Sequence, residues 1–237
     1  MIPTYHQRLI EIANDTANNC PIQSIFRGVL AGIYISFGAL LMSIGKASGC
    51  NSIVCGFLFS CGLFFVVISG ANLFTGNCIV CGLAPKLLSP RRLVLSYISN
   101  LIGAIIVFFC VLNSGIDYST LIDISVVKCN ADQSLLNLFM KGFLCNVLVC
   151  MAVYFSAYLE TTGSNIERFI AVVFPITIFV ACGFEHSIAD MFFIPFGIFA
   201  HQVDILTGLI TLVIVTIGNI LGGSFIGYLF QQITRES

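Results

Sequence analysis

Three ionisable side chains, Glu185, His186 and Asp190, fall within six residues of one another, between the apolar runs AVVFPITIFVAC and MFFIPFGIF. An ionisable group set in such apolar text is costly, and it marks either a solute pathway or a paired, buried network. Histidine is the side chain suited to exchange a proton near neutral pH. A purely structural histidine, bonded to a backbone carbonyl, is the alternative for His186; the functional reading is preferred because the cluster coincides with an interruption in the helical text. Glu185 is expected to serve structure, by tying down backbone N–H groups that the interruption frees.

A second interruption lies at Gly70-Ala71-Asn72-Leu73-Phe74-Thr75-Gly76-Asn77. Gly70 and Gly76 relax the backbone there. Asn72, Thr75 and Asn77 can satisfy the N–H and C=O groups that an opened helix exposes. Taken alone, a kinked helix with self-satisfied polar groups explains this stretch as well as a pore does. Lys141 stands near the start of another apolar run, and two readings stand side by side: a lysine snorkelling to the interface, or a positive charge drawing anions to a pore mouth.

The elements that must position these groups are apolar runs. A bilayer crossing takes roughly 20 residues, and six runs qualify: 24–45, 51–84, 93–113, 137–158, 168–200 and 206–230. The second and fifth exceed a simple span, and each contains one of the two interruptions. Three spans per half place the halves in opposite orientations, the pattern of an inverted 3+3 repeat with broken second and fifth helices. Irregular backbone at that depth survives where it is buried or lines a watery cavity, so the two breaks are expected to meet. With six spans, Arg8, Arg27, Lys86, Arg91, Arg92, Arg168 and Arg235 fall on one side and Lys46 and Lys128 on the other, seven against two. That bias predicts cytoplasmic termini. Residues 6–17, HQRLIEIANDTA, are expected to form a short amphipathic helix on the membrane surface. The first twenty residues lack the continuous apolar core of a cleavable signal peptide.

Composition agrees. The 237 residues are 58% hydrophobic and 9% charged, with a formal net charge of −1, and mean hydropathy is +1.02. Too few charges exist to clothe a soluble domain, and lipid is the natural solvent. Nothing forms the clustered basic face that nucleic acid requires. The eleven cysteines lie mostly in apolar runs and read as small hydrophobes; a Cys50–Cys129 bridge is left open. Cys78 and Cys81 form a lone CxxC, read as packing rather than as a metal or redox site. Of the three histidines, one lies deep in a span, whereas a haem held between helices takes facing histidines. No cofactor, metal or enzymatic reaction is therefore expected. An aquaporin-like channel for small neutral solutes would share the inverted repeat, but its paired NPA-like tripeptides do not occur.

At these residues the chain resembles the formate/nitrite transporter family. GANLFTGN is similar to the family's GAELFTGN-type motif, and GFEHSIADMFFIP to its GFEHSxANMxxIP-type motif. Supporting stretches are KGFLCNVLVCMAVY, beginning at Lys141, and Thr216–Gly223 in the sixth run; the likeness extends roughly from Arg8 to Gln232. The resemblance implies an aquaporin-like protomer, a homopentamer with one pore per protomer, and small monovalent anions or their acids as substrates: formate first, with nitrite, hydrosulfide, acetate or lactate open. It further implies that Phe59, Leu63, Leu73, Phe74 and Phe179 form two apolar constrictions. Thr75 and His186 would be the polar residues between them, and Lys141 the lysine of the outer vestibule. Asn72 and Asp190 depart from the motifs, which commonly carry Glu and Asn there. Together these readings imply a multi-pass cell-membrane channel or transporter, proton-linked through the central histidine.

Overall fold

The structure, a computed structural model, describes residues 20–87, 89–130 and 132–234. The expected surface helix at 6–17 lies outside the described residues. Among them the secondary structure is helical throughout.

Helix α1 (Pro21–Ala47) begins on a proline in its first turn, where the missing N–H costs nothing. Asn51 caps α2 (Ser52–Ser69) by accepting from the Val54 N–H at 3.0 Å. The chain resumes as the short helices α3 (Phe74–Asn77) and α4 (Ile79–Leu83). Pro90 opens α5 (Pro90–Leu112). Helix α6 (Ser119–Lys128) occupies text that reads as an outer loop. Ser134 caps α7 (Leu135–Thr162). Ser164 and Glu167 close a reciprocal capping box on α8 (Asn165–Ala181). Helix α9 (Ser187–Phe199) and α10 (Ile205–Thr234) complete the chain. Five helices, α1, α2, α5, α7 and α10, are long and apolar enough to cross a membrane, while Phe74–Leu83 and Ser187–Phe199 are shorter apolar helices.

Both interruptions begin alike. Gly70 and Gly183 adopt left-handed φ of 66° and 68°, which L side chains rarely tolerate. Each turns the chain so that the next N–H reaches back, Ala71 to the Val66 carbonyl and Phe184 to the Phe179 carbonyl, both at 3.0 Å.

Close helix approach sets the frame. A Cβ on Gly32 of α1 would stand 2.1 Å from the Asn100 carbonyl oxygen of α5, and one on Gly222 of α10 would stand 2.1 Å from the Phe143 carbonyl oxygen of α7. Backbone thus lies on backbone at both crossings, as small residues permit between membrane helices. Exposed positions carry large apolar side chains such as Phe26, Phe57, Phe109, Phe174 and Leu206, whereas Ser36, Thr75, Ser96, Asn100, Asn146, Ser156 and Asn219 are fully buried. Apolar outside and polar within is the arrangement that suits a chain solvated by lipid. All eleven cysteines are free thiols, so Cys50 and Cys129 are not bridged.

Candidate functional site

Each interruption is held by one asparagine. Asn100 Oδ1 accepts from the Phe74 N–H at 2.9 Å, and its Nδ2 donates to the Gly28 and Asn72 carbonyls at 2.8 and 2.9 Å. Asn219 Oδ1 accepts from the Ser187 N–H at 2.9 Å, and its Nδ2 donates to the Gly142 and Glu185 carbonyls at 2.8 and 3.0 Å. Two further bonds match: the Asn72 N–H donates to the Arg27 carbonyl at 3.1 Å, and the Glu185 N–H to the Lys141 carbonyl at 3.3 Å. The breaks therefore correspond residue by residue, Asn72 with Glu185, Phe74 with Ser187, and Asn77 with Asp190. Both asparagines are fully buried, and each meets part of the hydrogen-bonding demand that a broken helix creates.

The breaks meet directly. Thr75 Oγ1 lies 2.9 Å from His186 Nε2, and both residues are buried. His186 is also the N-cap of α9: its Nδ1 accepts the Ala189 N–H at 3.2 Å. A nitrogen that accepts a backbone N–H carries no proton, so the ring is assigned as the neutral tautomer with hydrogen on Nε2, donating to Thr75. Thr75 is held in turn through its carbonyl, which accepts from Asn146 Nδ2 at 3.1 Å.

Phe179 lies against this pair, within a buried apolar cluster that also contains Phe59, Leu63, Leu73 and Phe74. The Phe179 ring stacks on the imidazole with centroids 5.9 Å apart and planes at 22°, and Phe59 meets Phe179 edge-on at 5.4 Å. Phe74 packs edge-on against Tyr97 at 4.8 Å. Leu63, Leu73 and the three phenylalanines are all buried.

The charges are arranged otherwise than the sequence suggested. Glu185 does not tie down backbone N–H groups; its carboxylate is bonded to the ammonium of Lys128, the last residue of α6. The same ammonium lies 2.8 Å from Asp190 Oδ1 and 5.4 Å from the centre of the Phe193 ring. Helix α6 therefore brings Lys128 to the second break. Lys141 Nζ instead donates to Gln133 Oε1 at 2.7 Å, and at the break Lys141 contributes its backbone carbonyl. The signal for Lys128 was present, since two acids in apolar text demand a cation. In the first break the neutral counterpart is an amide pair, Asn77 Nδ2 donating to Asn72 Oδ1 at 2.6 Å.

Comparison with known proteins agrees with this arrangement. The sequence profile described as Formate/nitrite transporter matches residues 3–232. The chain is similar to a probable formate transporter of Methanothermobacter thermautotrophicus, 37% identical over 82% of each chain. It is similar also to the nitrite transporter NirC of Salmonella typhimurium, 30% identical over 95% of this chain and 88% of the relative. Among solved structures, a pentameric formate channel with formate bound superposes with a TM-score of 0.77 at 26% identity, over 90% of this chain and 97% of that one. With a family match over nearly its whole length and a multi-helical, lipid-suited exterior, the chain belongs to the formate/nitrite transporter family.

Proposed function

We propose that this protein is a channel for small monovalent anions and their acids, formate first with nitrite, hydrosulfide, acetate or lactate open, and that the solute passes between the two breaks beside Thr75 and His186. The observation that carries the reading is the 2.9 Å contact between these buried residues, with the Phe179 ring stacked on the imidazole. Its similarity to a probable formate transporter, to a nitrite transporter and to a pentameric formate channel with formate bound supports it. On this reading α2 to α4 form one broken crossing and α8 with α9 another. Six crossings then run as an inverted repeat with both termini cytoplasmic, and five protomers assemble, each with its own pore.

A bare anion entering an apolar constriction loses hydration worth several kcal/mol, which a neutral acid does not. Leu63, Leu73, Phe59, Phe74 and Phe179 therefore favour the acid. The imidazole is already neutral, and surrendering its Nε2 proton would leave an imidazolate. His186 accordingly acts as a hydrogen-bond donor to the solute, with Thr75 beside it, while water supplies the proton. Lys141, partly exposed and bonded to a neutral amide rather than to a carboxylate, raises the anion concentration at the mouth.

Stopped-flow measurement on proteoliposomes with formate, nitrite and glycerol tests this. Formate entry that quickens as the outside pH falls, with glycerol excluded, is the expected result. Glycerol swelling without formate entry would favour the aquaporin-like alternative and overturn the reading.

A further inference from the structure

The correspondence between the breaks exposes an imbalance. In the first, Asn72 and Asn77 form a neutral amide pair. In the second, the matching positions hold two carboxyl groups, Glu185 and Asp190, against one ammonium. The side chains of Lys128, Glu185 and Asp190 are 15%, 5% and 0% exposed. Among the described residues Lys128 is the cation within ion-pair distance of either carboxyl. Neither Asp190 oxygen accepts a well-aligned hydrogen bond. With every group ionised, this enclosed cluster would hold an uncompensated negative charge, which burial strongly disfavours.

The groups around Asp190 do not remove that charge. Helix α6 brings Lys128 and the Cys129 thiol, the break brings Glu185 and His186, α5 brings Tyr97 and α7 brings Cys145. The Asp123 side of α6 is exposed. Tyr34 of α1 packs on Phe65, and α3 brings the neutral Thr75 and Asn77. The imidazole is neutral by its own hydrogen bonds. A proton on one of the two carboxyls is the remaining way to balance the cluster.

We propose that Asp190 and Glu185 hold one proton between them beside the Lys128 ammonium, so that the cluster is neutral when protonated and turns away anions when the proton is lost. Asp190 is then a specificity-determining residue. It adds to the channel reading above a second, protein-borne cause of acid preference, and it rests on that reading only for the transport consequence.

Infrared spectroscopy of the full-length protein in liposomes decides the matter without any flux. At neutral pH the wild type is expected to show the carbonyl band of a protonated carboxyl, and Asp190→Asn and Glu185→Gln, each leaving one carboxylate for the ammonium, are each expected to lose it. A wild-type spectrum without that band overturns the proposal, and needs no variant to fold. A band that persists in both variants overturns it equally. In uptake assays the alkaline fall-off of formate entry should be shallower in Asp190→Asn, because an amide mimics the protonated acid while the apolar constrictions still favour the acid; a fall-off as steep as in the wild type overturns the transport consequence. A wild-type band with no formate entry would sink the channel reading and leave the shared proton standing.

Discussion

Asn100 and Asn219 make the same three hydrogen bonds at opposite breaks: each accepts one N–H just past the interruption, and each donates to two carbonyls, one in the interruption and one on a neighbouring helix. Alanine at either site would orphan one donor and strand two acceptors in a buried place, and each unpaired group costs about 1–3 kcal/mol. Asn100→Ala and Asn219→Ala should therefore lower the melting temperature in detergent markedly, and by similar amounts. Circular dichroism should follow the melt, since the chain has no tryptophan to report it. A wild-type melt in either variant would show that the clamp is dispensable.

Thr75→Val keeps shape but removes the acceptor of the His186 Nε2–H. One lost hydrogen bond is worth about 1.4 kcal/mol, or tenfold in rate, so formate entry should drop about tenfold in proteoliposomes with the oligomer intact by size exclusion. His186→Phe removes the donor and the α9 cap together and should abolish entry. Normal entry in His186→Phe would remove the imidazole from the mechanism.

The two lysines should separate cleanly. Lys128→Gln leaves two buried carboxyls without their ammonium, and breaking a buried pair this way costs about 3–5 kcal/mol. It should impair folding yield. Lys141→Gln gives up one partly exposed contact and should shift stability by no more than about 0.5 kcal/mol, while slowing formate entry at low salt and little at high salt. Equal destabilisation by both substitutions would contradict the placement of the charges.

Gly32→Ala and Gly222→Ala place a methyl group 2.1 Å from a carbonyl oxygen of the facing helix. Backbone cannot yield as a side-chain tip can, so each should cost about 3 kcal/mol or more. Loss of the monodisperse peak in size-exclusion chromatography is the readout.

Legibility followed the range of the interactions. Gly70 and Gly183 declare themselves because a left-handed residue interrupting apolar text is a local signal. The Thr75–His186 pairing follows once the breaks are assumed to meet. Nothing local singles out Asn100, and Asn219 stands out only within the Thr216–Gly223 stretch, because the carbonyls they serve lie 28 to 77 positions away. The pairing of Lys128 is hidden because α6 is too short to read as a span and its partners, Glu185 and Asp190, come from the other half of the chain. For Lys141 the run itself leaves a snorkelling lysine and a pore-mouth charge side by side, and the vestibule role comes from the family resemblance; its side chain turns to Gln133 and its carbonyl serves the break.

The asparagine clamps have one more consequence. Because a side chain already holds one peptide N–H and one carbonyl at each kink, those groups need no water partner, and a solute passing between the kinks would not have to break that bonding.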